Sequence, residues 1–253
     1  MKRKLSENYK RLEQRIAEAC ARAKRDSAEV KVVTVTKYVG LELIRTLVEL
    51  GVRDLGENHA QELARRAAML RESTSRRTRQ EEADAHLPRW HMIGHLQRNK
   101  VRIILPWIEM IHSIDSLRLA EEVDAEAKRL DARMPILLQV NAAGETSKSG
   151  VAVAAATHLA EQITSLRNIE LRGLMCMAPL TTDVTVIRHT FQRVRELFDE
   201  IIGERVGGPA FTELSMGMSN DFEIAIEFGA TVVRIGSALF EGIELAPQPT
   251  AVE

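Results

Sequence analysis

The chain has 253 residues, 45% hydrophobic and 28% charged, which is the profile of an ordinary globular protein with ample material for a large core. Its formal net charge of −1 carries no electrostatic footprint for nucleic acid or for an anionic membrane surface.

The opening MKRKLSENYKRLEQ is basic but lacks the apolar run of a signal peptide, and no apolar stretch is long enough for a transmembrane helix. Cys20 and Cys176 have no metal-ligand spacing and read as buried thiols of a reducing compartment, so a cytoplasmic protein is expected. Leu5, Tyr9, Leu12, Ile16 and Ala19 recur at helical spacing over 5–23, which makes residues 1–25 an N-terminal helical segment.

From residue 30 to 240, strand-like and helical patterns alternate. The strand-like runs are 31–37, 53–57, 90–94, 110–114, 136–142, 169–175, 211–215 and 231–236. Between them Leu41, Ile44, Leu47 and Val48 share one helical face, and Val186, Val194, Leu197 and Ile201 another. Strands separated by helices imply parallel pairing through right-handed crossovers. Eight such units in one α/β chain favour a closed (β/α)8 TIM barrel spanning 1–253 as one domain, with an open doubly wound sheet as the alternative. After the last strand only LFEGIEL and a proline-containing tail remain, too short for an eighth helix, so the N-terminal helix is expected to fill that place.

Residues 72–88 are polar and charged and read as a mobile insert. Six arginines between Arg65 and Arg79 allow two readings: a phosphate or RNA patch, or an exposed helix end and insert balanced by Glu81, Glu82 and Asp84. The second is favoured.

In a barrel of this kind, binding groups sit at the C-terminal ends of the strands. Those ends supply Lys37, Glu57 and Asn58, Gly94 and His95, Asp115, Asn141, Met175 to Met177, Ser215 to Ser219, and Arg234 to Ser237. Lys37 ends an apolar strand. It is either an amine partly desolvated for attack on an aldehyde or a lysine snorkelling to solvent, and position alone does not separate the two. Ser215, Gly217 and Ser219 precede a helical run for which Ser219 is the expected N-cap, and Gly236 and Ser237 end the last strand. Glycine and serine loops after the last two strands are the habitual phosphate site of these barrels. An amine on the first strand beside a phosphate grip points to a phosphorylated carbonyl ligand.

These segments resemble the pyridoxal phosphate homeostasis protein family, also called the proline-synthetase co-transcribed family, which is related in fold to the barrel domain of alanine racemase. The resemblance rests on Val35 to Lys37, Leu55 to Asn58 with Gln61, WHMIGHLQRNK at 90–100, and His112 to Asp115. It continues through Gln139 to Asn141 with Lys148 to Gly150, Arg172 to Met175, Leu214 to Ser219, and Val233 to Ser237. One departure is Tyr38-Val39 after the lysine, where many relatives carry Thr-Lys; any role of a second lysine there is absent.

The resemblance implies that pyridoxal 5′-phosphate (PLP) forms an imine with Lys37 and that Asn58 lies near its ring. It further implies that Ser215, Gly236 and Ser237 hold the phosphate and that Arg234 faces the pyridine nitrogen. Arginine does not surrender its proton, so a nitrogen accepting from it stays unprotonated and the ring is a weak electron sink. That argues against transamination and decarboxylation and leaves racemization or carriage. A racemase needs a second acid/base group, and the only tyrosines are Tyr9, on the outer helix, and Tyr38, beside the lysine. With no second base in view, the resemblance implies a non-catalytic PLP carrier in vitamin B6 homeostasis, serving PLP-dependent apoenzymes and amino-acid and keto-acid balance, and a monomer is expected. The rivals are a weak amino-acid racemase and a Schiff-base aldolase acting on a sugar phosphate.

The remaining residues have plain readings. His91 and His95 flank a strand end, where a four-residue spacing does not converge, so no metal is expected. His112 is expected to pack or hydrogen-bond inside the barrel. Met175, Met177, Met216 and Met218 line either the ligand face or the core. Glu57 orients Lys37 or Asn58, or caps the following helix. Lys148 to Gly150 is a weak second anion site.

Overall fold

Strands that bury one face against a barrel interior and the other against helices need apolar side chains on both, which is why ILLQV reads as a nearly continuous hydrophobic run. The computed structural model describes residues 1–75, 87–144 and 149–245. Its strands are β1 Lys31–Val35, β2 Asp54–Glu57, β3 Arg89–Met92, β4 Ile108–Ile114, β5 Met134–Asn141, β6 Val151–Ala152, β7 Ile169–Cys176, β8 Glu213–Ser215 and β9 Val232–Ile235. Every pairing is parallel. β1 to β5 pair in succession, β5 pairs β7, and β7 to β9 lead back to β1, so eight strands close a ring. The two-residue β6 pairs only the end of β5 and stands outside that ring. Closure rules out the open sheet.

The helices are α1 Lys2–Arg22, α2 Leu41–Glu49, α3 Ala60–Ser75, α4 Val101–Ile104, α5 Leu117–Arg129, α6 Val153–Thr164, α7 Val184–Glu204 and α8 Phe222–Glu227. Asp183 starts α7 by accepting from the N–H groups of Thr185 and Val186. The face expected for α7 is corrected at one place: Val186 is exposed and Ile187 is buried instead, beside Val194, Leu197 and Ile201.

Among the described residues no helix follows β9, and the N-terminal helix packs in the slot such a helix would fill. Lys2 pairs with Glu49 of α2, while Arg15 and Arg22 pair with Glu223 and Glu227 of α8, so α1 lies between the helices that flank β9 and β1. Its buried face is Leu5, Leu12, Ile16, Ala19 and Cys20. The buried Asn8 amide donates to the carbonyls of Leu239 and Glu241 at 2.9 Å each, tying α1 to the chain beyond β9.

The main core fills the layer between strands and helices. A separate small cluster of Met110, Leu137 and Met175, with Met177 against it, joins β4, β5 and β7 across the barrel interior. Both cysteines are buried thiols. Among the described residues, no helix is long and apolar enough to cross a membrane.

The segment 72–88 is helical as far as Ser75, where α3 ends, and most of the remainder, with Glu81, Glu82 and Asp84, lies outside the described residues. The described arginines of the 65–79 cluster do not form a common patch. Arg65 pairs with Glu62, Arg66 is buried, and the Arg71 guanidinium carbon sits 6.0 Å from the Trp107 ring centroid.

Candidate functional site

β1 leaves its ladder at Val35, and the next two residues turn over the rim. The Thr36 N–H still donates to the Gly56 carbonyl at 2.9 Å, and Lys37 follows, half-buried. Thr34 pairs with Ile235 across β1 and β9, and a Cβ placed on Gly236 would lie 3.4 Å from Val35 Cβ. Lys37 and the Gly236-Ser237 turn therefore leave neighbouring strands at the same rim. Beside Lys37, the ring face of the exposed Tyr38 has its centroid 4.9 Å from Nζ.

Arg66 of α3 is a member of this site that the sequence reading missed, having counted it among the surface arginines. It is buried, and its Nη1 donates to the Thr36 carbonyl at 2.6 Å and to Glu57 Oε2 at 2.8 Å. Glu57 is fully buried, and its Oε1 accepts from the Asn58 N–H at 2.8 Å. Burial pushes the Glu57 carboxyl above its usual range, and the charge of Arg66 and the Asn58 N–H only partly offset that. Glu57 thus holds the Asn58 and His59 N–H groups at the start of α3 and, through Arg66, the Thr36 carbonyl that precedes Lys37. A signal was present: Glu57, Glu62 and Arg66 bracket the start of one helix at spacings that bring them together.

Asn58 lies under Gly94. A Cβ on Gly94 would come within 2.4 Å of the Asn58 carbonyl oxygen, so only glycine allows the loop after β3 to pack there. The side-chain carbonyl of Asn58 is buried and has no hydrogen-bond partner among the described residues. A cavity of about 400 Å3 opens beside it, lined in part by Gln61, His95, Gln97 and Lys100.

On the far side of Lys37, the loop after β8 turns through Gly217 at φ +95°, where a Cβ would meet Ala225 Cβ at 2.6 Å. Ser219 does not cap α8, correcting the expectation. Its hydroxyl accepts from the N–H groups of Gly236 and Ala238 at 3.2 and 3.3 Å, locking the two loops together. The residue before α8 is Asp221, and its carboxylate accepts from the Met218 N–H. Ser237 is exposed on the same turn.

Arg234 is buried; among the described residues its hydrogen-bond partners are neutral oxygens, and the Asp221 carboxylate acts on it by charge. Nη1 donates to Ser215 O at 2.9 Å and Ser215 Oγ at 2.7 Å, and Nη2 to the Cys176 carbonyl at 2.8 Å. Among the described residues these bonds engage three of its five N–H groups. Ser215 was expected in the phosphate grip. Its hydroxyl is instead fully buried between Arg234 and His112, whose Nδ1 lies 3.0 Å away, so it supports the guanidinium and does not line the open turn.

His112 does hydrogen-bond inside the barrel, as expected, through Ser215 and His91. His91 and His95 diverge: His91 is buried and 2.9 Å from Asp54 Oδ1, whereas His95 is exposed and 3.6 Å from Asp115 Oδ2. No group of three or more metal-ligating side chains occurs among the described residues. Met175 belongs to the barrel interior and Met216 to the main core. Of the weak second anion site, Lys148 lies outside the described residues, and Ser149 offers its carbonyl to the Gln139 amide.

An amine, a buried guanidinium, an orphaned amide carbonyl and an exposed Gly-Ser turn share one rim. That set fits a phosphorylated aromatic aldehyde: the amine for its carbonyl, Arg234 and Asn58 for polar atoms of its ring, and the turn for its phosphate.

Comparison with known proteins agrees. Residues 3–243 match the family model of the alanine racemase N-terminal domain. A pyridoxal phosphate homeostasis protein of Aquifex aeolicus is 37% identical over 234 residues, covering 92% of this chain and 96% of the relative. An unknown protein from Bifidobacterium adolescentis superposes with a TM-score of 0.86 at 36% identity, covering 94% of this chain and 95% of that one. PipY of Synechococcus elongatus, solved with PLP bound, gives a TM-score of 0.73 at 31% identity over 89% of this chain and 99% of that one. The chain belongs to the pyridoxal phosphate homeostasis protein family, whose barrel is that of the alanine racemase N-terminal domain.

Proposed function

We propose that this chain binds PLP on Lys37 and acts as a non-catalytic carrier in vitamin B6 homeostasis, working as a monomer in the cytoplasm and passing the cofactor to PLP-dependent apoenzymes. The observation that carries the reading is the placement of Lys37 on the rim that also bears the Gly236-Ser237 turn, with the buried Arg234 guanidinium between the neighbouring strands. The PLP-bound relative and the names of the curated relatives support it.

When bound, the cofactor supplies an aldehyde for an amine and, in enzymes, an electron sink. The residues here limit the second use. Arg234 donates and cannot protonate a ring nitrogen, which withholds the positive charge that transamination requires. Gly236 and Ser237 hold the phosphate by this reading, with Ser219 bracing the turn from behind. Arg66 fixes the carbonyl of Thr36 and hence the direction in which Lys37 leaves the barrel. Neither tyrosine faces the lysine as a second base. Tyr9 lines a cavity at the basal end with Lys31 and Asp54, and Tyr38 offers Nζ its ring face.

The test is a visible spectrum of the purified protein before and after Lys37→Ala, followed by borohydride reduction and peptide mass mapping. Wild type should show a band from Lys37-bound cofactor, with the reduced adduct on that peptide; the variant should retain at most noncovalent PLP. An adduct on another lysine, or none, would sink the proposal. Exchange of the α-proton of any amino acid with solvent deuterium would instead support the racemase. A sugar phosphate trapped on Lys37 in PLP-free protein would support the aldolase.

A further inference from the structure

A row of polar side chains crosses the barrel interior from its basal end to Arg234. Asp54 begins β2, and its two carboxylate oxygens meet Arg89 and His91. His91 Nδ1 lies 3.0 Å from His112 Nε2, His112 Nδ1 lies 3.0 Å from Ser215 Oγ, and Ser215 Oγ accepts from Arg234 Nη1 at 2.7 Å. β4 and β8 are not neighbours in the ring, so the contact between His112 and Ser215 spans the interior. His91, His112 and Ser215 are each at most 1% exposed.

The two ends dictate the direction of every hydrogen bond between them. Arg234 only donates, and an ionised Asp54 only accepts. Ser215 Oγ accepts a hydrogen bond from Arg234, and its other partner among the described residues is His112, so its own O–H points to His112 Nδ1. A neutral His112 then carries its proton on Nε2 and donates to His91 Nδ1. His91 in turn carries its proton on Nε2 and donates to Asp54. The bonds run head to tail and reinforce one another. The opposite direction requires a doubly protonated His91 and leaves the Ser215 O–H without an acceptor.

We propose that Asp54, His91 and His112 are positioning residues for Arg234: the basal carboxylate holds both histidines in the Nε2–H form, which turns the Ser215 lone pair to the guanidinium and keeps that group aimed at the ligand ring. This rests on the reading that Arg234 meets the ring of PLP. It also accounts for a polar row in an interior that holds the apolar cluster of Met110, Leu137 and Met175. Apolar side chains fill such a space at no desolvation cost, whereas a lone buried guanidinium without fixed acceptors is free to turn away.

The direction of the row is read on full-length, cofactor-free protein with ¹⁵N-labelled histidine, by long-range ¹H–¹⁵N correlation, with signals assigned from His91→Gln and His112→Gln. Both rings should show a protonated Nε2 and a bare Nδ1. Asp54→Leu should disturb both tautomers and weaken PLP binding on the order of tenfold. Asp54→Asn, whose amide carbonyl still accepts from His91, should keep the tautomers and most of the affinity. A proton on Nδ1 of either ring in wild type, or an imidazolium at His91, would overturn the proposal, and so would Asp54→Leu binding PLP as wild type does. If Asp54→Leu fails to fold, the wild-type tautomers still decide the direction, and PLP titration of Asp54→Asn and His112→Gln decides the coupling. Wild type with the stated tautomers but no PLP uptake would overturn the reading of the site and leave the direction of the row standing.

Discussion

Arg66 and Glu57 form a buried ion pair, 2.8 Å from Nη1 to Oε2, that joins α3 to the tip of β2 beside the turn that carries Lys37. Neither group faces the proposed ligand. Together they connect the Thr36 carbonyl, the Asn58 N–H and the start of α3, so that Lys37 and Asn58 leave their strands from one rigid block.

Removing one partner leaves a buried charge, which costs far more than the pair itself contributes. Arg66→Met should lower stability by about 3 kcal/mol, and adding Glu57→Gln should recover part of that loss. The check is urea unfolding of the two single variants and the double, read as a mutant cycle. Strictly additive losses would show that the two groups do not act as a unit.

Gly94 and Asn58 make the second firm contact of the site. Gly94→Ala places a methyl 2.6 Å from Asn58 Cα, so Asn58 must move. PLP affinity should fall on the order of tenfold, about 1.4 kcal/mol, measured by titration of cofactor-free protein. Gly203→Ala is the control: nothing lies within 4 Å of its new methyl inside α7, so affinity should hold and stability should rise by about 0.5–1 kcal/mol.

The fold was legible because local signals agreed with it. Each predicted strand is present within about two residues, since short apolar runs bounded by helices leave few topologies open. Lys37, Asn58, Gly236 and Ser237 were legible as residues at strand ends. Ser215 and Ser219 were misplaced because a serine in a glycine-rich loop reads as an open hydroxyl, while its partner lies on another strand: His112 for one, the Gly236 N–H for the other. Arg66 escaped for the converse reason. Its charge is indistinguishable in the sequence from Arg65, which pairs on the surface one residue earlier, and only the rotation of α3 against β2 sends one inward.

The seal made by α1 includes one buried amide, Asn8, that reaches the chain beyond β9. Asn8→Ala deprives the Leu239 and Glu241 carbonyls of their donor, and at least the first lies in a buried setting. Stability should drop by about 1–3 kcal/mol, with hydrogen exchange rising first in α1 and in 236–245. Exchange rising instead across β4 and β5 would mean that α1 is no local seal.

His112 gives the fold a pH dependence of definite sign. Burial first, then the neighbouring His91 and the positive charges of Arg234 and Lys31, hold its imidazole well below the ordinary histidine value of 6.5. The unfolded chain therefore takes up a proton below about pH 6.5 that the folded chain refuses, and stability is lost as pH falls through that point. The slope reaches about 1.4 kcal/mol per pH unit for one such proton. Asp54 does not interfere in this window. Burial pushes its carboxyl up, but the hydrogen bonds from His91 and Arg89 outweigh that and leave it below the usual aspartate range, so it stays ionised. Urea midpoints at pH 7.5, 6.5 and 5.5 should fall for wild type, and the fall should be shallower in His112→Gln, which has no proton to refuse. Parallel losses in the two proteins would show that His112 is charged in the folded state, and the neutral row it belongs to would fall with it.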